Sequence, residues 1–158
     1  MHHFIRHYAP QALLALGCIA ACAQTFAATP ASDILGTWKV TRGVVAPGVK
    51  PGRSLPDTRT WLGQTVRFAS GRVTGPAPMG CGNARYEATH TPPEGLFQGV
   101  LPAPAKDAAW ALDLPPGAVP GTSLTCDTGI FELHRAGATT LLVAVDNVIW
   151  TLDRSPGR

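Results

Sequence analysis

Apolar and polar residues alternate with a period of two along most of this chain between Leu35 and Arg154, interrupted by glycine- and proline-rich turns. In Leu35–Arg42, Trp38 and Val40 share one face while Thr37, Lys39 and Thr41 take the other, which predicts a half-buried first strand that Val44 and Val45 extend. Gln64–Phe68, with Val66 and Phe68 on one face, and Arg72–Thr74 read as a hairpin turned at Ala69-Ser70-Gly71. Ala84–Thr89 follows, with Tyr86 and Ala88 opposed by Arg85 and Glu87. The last third is the clearest. Ser123–Cys126 leads into Ile130–His134, where Phe131 and Leu133 oppose Glu132 and His134, a pair expected in solvent. Thr139–Val145 is almost continuously apolar, as for a strand covered on both faces. Asp146-Asn147 supplies a two-residue turn, and Val148–Arg154 returns with Val148, Trp150 and Leu152 on one side.

Between these segments the pattern weakens. Pro47–Pro56 holds three prolines and two glycines and reads as a surface loop, followed by a brief turn at Trp61-Leu62 that closes one end of the core. Gly95–Leu101 reads as a strand or an apolar turn, and Ala105–Asp113 as the one helix, bounded by Pro104 and Pro115. No internal repeat is visible, which argues against a propeller or solenoid. The expectation is an all-β, antiparallel, small β-barrel of about eight strands with one short helix; a β-sandwich is the alternative. Closing the sheet removes edges that a lysine-poor chain protects badly.

The amino terminus changes the picture from fold to compartment. Ala12–Ala21 is an apolar run too short to span a bilayer, behind a weakly charged start, so residues 1–23 are expected to be an export signal. Residues 24–33 then form a tether and 34–155 a single domain. Ile19-Ala20-Ala21-Cys22 also resembles a bacterial lipoprotein box, in which Cys22 becomes a lipidated first residue. That resemblance implies an outer-membrane tether, and the lipid would be the only membrane contact. Losing residues 1–23 removes Arg6 from thirteen basic residues and none of ten acidic ones, leaving a net +2 without a basic run. Neither nucleic acid nor an anionic membrane is implied.

Four cysteines then reduce to two. Cys18 lies within the signal and Cys22 is cleaved away or lipidated, so Cys81 and Cys126 are expected to form a disulfide in the periplasm. A zinc site would need more ligands than these cysteines with His90 and His134, and a redox pair would show Cys-x-x-Cys. No metal or other cofactor is expected. Hydrolase and phosphate-loop motifs are missing, and the few carboxylates are scattered, so no catalytic residue is assigned and the chain is read as a non-enzyme.

Three resemblances attach to particular residues. Gly36-Thr37-Trp38 resembles the Gly-x-Trp signature of lipocalins and their calycin relatives, in which an arginine near the end of the last strand packs over the tryptophan. Arg154 is suitably placed to do so. Trp38, Phe68 with Gly71 and Gly75, Gly80-Cys81-Gly82-Asn83, Tyr86, and Thr122–Cys126 resemble the META domain of small exported bacterial proteins. Gly82 is an insertion relative to that pattern, and the usual Met before the second Cys is absent. Gly82–Tyr86 is also similar to the loop that periplasmic lysozyme inhibitors insert into an enzyme's cleft, without that family's serine.

Two functions follow as expectations. One is binding of a small apolar ligand, or an envelope-stress role, with Trp38, Phe68, Tyr86, Phe131 and Trp150 lining or plugging the interior. The other is inhibition of a cell-wall hydrolase, or immunity to one, through loops carrying Asn83 and Arg85.

Overall fold

Alternating β-branched and aromatic residues build eight strands: β1 (Gly36–Val45), β2 (Thr65–Ala69), β3 (Gly71–Thr74), β4 (Cys81–Thr91), β5 (Val119–Cys126), β6 (Gly129–Arg135), β7 (Thr140–Val145) and β8 (Val148–Arg154). The computed structural model describes residues 31–156 apart from 48 and 50–53; the expected signal, Cys22 and most of the tether lie outside them. Each strand pairs antiparallel with the next, and β1 pairs with β8 as well as β2, so the sheet closes into a ring, a closed barrel in strand order. The expected all-β fold with about eight strands is what forms, and the two-sheet sandwich is not.

The closure follows from the sequence at β1. Its ten residues pair with β2 through Gly36–Lys39 and with β8 through Trp38–Val45, with an extra residue at Thr41 where the register shifts. Such a bulge bends the strand and strengthens its twist, as closing a sheet requires. Between β7 and β8, Asp146 and Asn147 both have positive φ, 52° and 64°, the conformation of the tight hairpin that their residue types favour.

Inward side chains form one core: Trp38, Val40, Val66, Phe68, Val73, Leu124, Phe131, Leu133, Leu141, Val143, Trp150 and Leu152 among them. A second core lies on the outer wall. Leu96 and Phe97 from the 3-10 segment Pro93–Gly99, with Ala105 and Ala109 of the single helix α1 (Ala105–Trp110), pack over Val119, Leu142 and Ile149. β7 therefore has its inward Leu141 and Val143 in one core and its outward Leu142 in the other, which accounts for its continuous apolar run. The turn alternative for Gly95–Leu101 is the one realised, and the helix stops three residues short of the expected Asp113.

Candidate functional site

Loops close the two ends of the ring with apolar side chains, and this decides what the interior can hold. At one end a 3-10 turn, Ala31–Ile34, runs through residues expected to be tether and brings Ile34 into the core. The Trp38 indole N–H donates to the Ile34 carbonyl at 2.8 Å, and the Arg154 guanidinium lies over the indole, 4.3 Å from its ring centre. The same guanidinium donates to the backbone carbonyls of Leu35 and Asp33. A side chain at Gly36 would come within 3.1 Å of the guanidinium, and Gly36 has φ +123°, so glycine is required there on two counts. At the other end Trp61 stacks on Trp150, with ring centres 5.0 Å apart, and Met79 is fully buried.

The five aromatics expected to line or plug the interior are accordingly core. Trp38, Phe68, Phe131 and Trp150 are buried. Tyr86 is half-buried; its hydroxyl donates to the Ala69 carbonyl at 2.8 Å and its ring meets Phe68 edge-on. Burial raises the Tyr86 phenol above its ordinary pKa, so it is neutral at physiological pH. None of the five rings lines the recesses beside Phe97, Gly71, Pro120 or Leu112.

Cys81 and Cys126 are joined by a disulfide, with Cα atoms 6.0 Å apart. It ties the first residue of β4 to the last of β5, ahead of the first β4–β5 partners, Arg85 and Thr125. The Asp127 carboxylate lies beside the sulfurs, but the bonded sulfurs have no thiolate to offer a metal, and Asp127 Oδ1 instead accepts the Gly82 N–H at 2.9 Å. Asn83 is the extra residue of a bulge against β3, with φ +53°, a conformation asparagine tolerates better than most residues. The bulge restores the alternation, so Cys81 and Ala84 are both buried while Asn83 and Arg85 are exposed. Asn83 and Arg85, expected on a loop, thus belong to strand β4, because the disulfide-linked start of that strand pairs with β3.

His134 departs from its expected place. It lies on the outer face with Glu132, yet it is only 1% exposed, because the Pro93–Gly99 segment covers it. The Phe97 N–H donates to His134 Nε2 at 3.2 Å and the two rings meet edge-on, 4.8 Å apart. With Nε2 accepting, the proton sits on Nδ1, which is buried without a partner among the described residues. Burial disfavours the imidazolium and lowers the pKa to about 4, so His134 is neutral. His90, expected in a loop, is an exposed residue of β4 paired with Pro120 of β5.

Beside this covering segment runs an outer groove of about 160 Å³, lined by Phe97, Gln98, Val100, Ile130, Glu132, Asp146 and Asn147 among others. At the Ile34 end, a recess of about 290 Å³ is bordered by Asp33, Ala88, His90, Thr122 and Arg135. No helix among the described residues is long and apolar enough to cross a membrane. Compared with family models, curated proteins and solved structures, the chain matches none.

Proposed function

We propose that this chain is a non-enzymatic protein of the bacterial envelope that works by binding another protein on its outer face, as an inhibitor of, or immunity protein against, a cell-wall hydrolase. The observation that carries this reading is the filled interior. An apolar ligand in the ring would have to displace Trp38, Phe68 or Leu124, each of which is buried in a continuous core. Binding from outside needs no such displacement. Asn83 and Arg85 stand exposed on a stretch of backbone held by the disulfide and by the Asp127–Gly82 hydrogen bond, so little ordering cost remains for a partner to meet. The export expected from residues 1–23, with or without a lipid on Cys22, would bring the protein to the compartment where such enzymes act.

The test is inhibition of purified muramidase, amidase and lytic transglycosylase acting on peptidoglycan. One of them is expected to be inhibited, with Arg85→Ala weakening inhibition at least tenfold while the unfolding midpoint stays unchanged. If all three enzymes are unaffected and a fluorescent fatty acid binds instead, the small-ligand reading takes its place. A polar small ligand has a separate foothold in the recess between Asp33 and Arg135, where a cation and an anion face one space.

A further inference from the structure

Rows of side chains on the outer wall of β4–β6 follow from the strand register. Arg85 pairs with Thr125 and Thr125 with Ile130; one step along, Glu87 pairs with Ser123 and Ser123 with Glu132. The next row, Thr89, Gly121 and His134, includes the histidine that the Pro93–Gly99 segment covers. The two exposed rows thus run from Arg85 and Glu87 to the groove, which opens where the covering segment ends. At about 4.8 Å per strand, Ile130 lies roughly 10 Å from Arg85.

The groove's lining is specific in three respects. Among the described residues, the charged side chains that line it are Glu132 and Asp146, both acidic. Two of the chain's exposed large apolar side chains, Ile130 at 61% and Val100 at 37%, border it. Of the six non-glycine residues with positive φ among the described residues, four also line it: Phe97, Gln98, Asp146 and Asn147. Backbone of that kind persists only where its surroundings hold it, and it gathers at binding sites. Here the Phe97 amide is held by His134, and the Asn147 carbonyl accepts the Ala46 N–H at 2.8 Å. The Ser123 hydroxyl donates to Glu132 Oε1 at 2.8 Å, which orients that carboxylate.

Size selects the occupant. A volume of about 160 Å³ equals roughly five waters, below the span of about 300 to 1,000 Å³ typical of small-molecule sites. It suits one long side chain. We propose that this groove is the socket for a single arginine side chain of the protein partner, its methylenes against Ile130 and Val100 and its guanidinium between the Glu132 and Asp146 carboxylates. Arginine fits better than lysine because two carboxylates ask for a planar fork with several donors, and apolar walls favour the less hydrated cation. The inference rests on the reading that this chain binds another protein, and it names the side chain that reading would need.

The probe is the peptide acetyl-Leu-Arg-amide, titrated to 10 mM against the isotope-labelled protein and followed by amide chemical shifts, with the uncharged citrulline analogue as control. Saturable shifts are expected at Gln98, Ile130, Glu132 and Asp146, with citrulline at least tenfold weaker. Asp146→Asn keeps a residue that tolerates the turn's positive φ, and combined with Glu132→Gln it should weaken the arginine peptide about tenfold. Equal binding of both peptides, shifts only at other residues, or an unaffected double variant would overturn the proposal. Hydrolase inhibition that depends on Arg85 while the groove stays silent would leave the partner reading standing and remove the socket alone.

Discussion

Trp38 and Arg154 face each other directly in the β1–β8 register, and the guanidinium of Arg154 lies over the Trp38 ring while donating to two backbone carbonyls, those of Leu35 and Asp33. The pair joins the first strand, the last strand and the turn that closes the ring's end.

Removing the guanidinium should therefore loosen three elements together. Arg154→Met is expected to cost at least about 3 kcal/mol, from a partly desolvated cation–π contact of about 1 to 2 kcal/mol and two charge-assisted hydrogen bonds weakened by solvent. Arg154→Lys should recover less than half, because an ammonium cannot lie flat on the indole and reach both carbonyls. Urea unfolding of the two variants checks this; equal stability of Lys and Arg would show that charge alone matters.

The disulfide admits a numerical expectation. Its two cysteines are 45 residues apart, and by loop-closure entropy the cross-link raises stability by about 4 kcal/mol at most. Cys81→Ala with Cys126→Ala should lower the urea midpoint accordingly while retaining the β-rich circular dichroism, since β4 and β5 pair from Arg85–Thr125 to Thr91–Val119 without it. Loss of the fold in the double variant would show that the bond does more than limit the unfolded chain.

Gly43 sets a steric limit at the other end. A Cβ there would lie 2.5 Å from the Thr58 carbonyl oxygen and 2.6 Å from the Trp150 ring, against which Trp61 stacks. Gly43→Ala is expected to cost about 3 kcal/mol and to disturb tryptophan fluorescence, because an overfilled core must move backbone or ring. Gly137→Ala, with nothing within 4 Å of its Cβ, should change stability by less than about 0.5 kcal/mol. Comparable losses for the two would argue that the close approach at Gly43 relaxes freely.

Much of this was legible in the residues. Period-two alternation named the inward faces of β1, β2, β6 and β8, and elimination of Cys18 and Cys22 named the disulfide. The Trp38–Arg154 contact is what the resemblance of Gly36-Thr37-Trp38 to the lipocalin signature implied. What alternation cannot report is volume. It puts Trp38, Phe68 and Phe131 inside without saying whether loops fill the remaining space, and here Ile34, Trp61 and Met79 do so from outside the strands. Coverage of an outer face is equally silent. The pattern placed His134 correctly beside Glu132, but the lid over it comes from residues 37 positions earlier, through left-handed conformations at Phe97 and Gln98 that no local signal announces.

That buried imidazole makes stability depend on pH in a defined window. In the unfolded chain His134 titrates near 6.5, and in the fold its pKa is lowered to about 4 by burial. Between these values the unfolded state holds more proton than the native state, so its contribution to stability falls as pH drops from about 6.5 to about 4 and levels off below. Integrated over the window, the loss is about 3 kcal/mol. Protonation also removes the acceptor for the Phe97 N–H, so the covering segment should open first, seen as faster amide exchange at Phe97 and Gln98 than in β7. His134→Gln can still accept that N–H through its amide oxygen and does not titrate. Its stability should therefore be nearly flat across the part of the acid limb that wild type owes to the histidine, and an identical acid limb in both proteins would place the titrating group elsewhere.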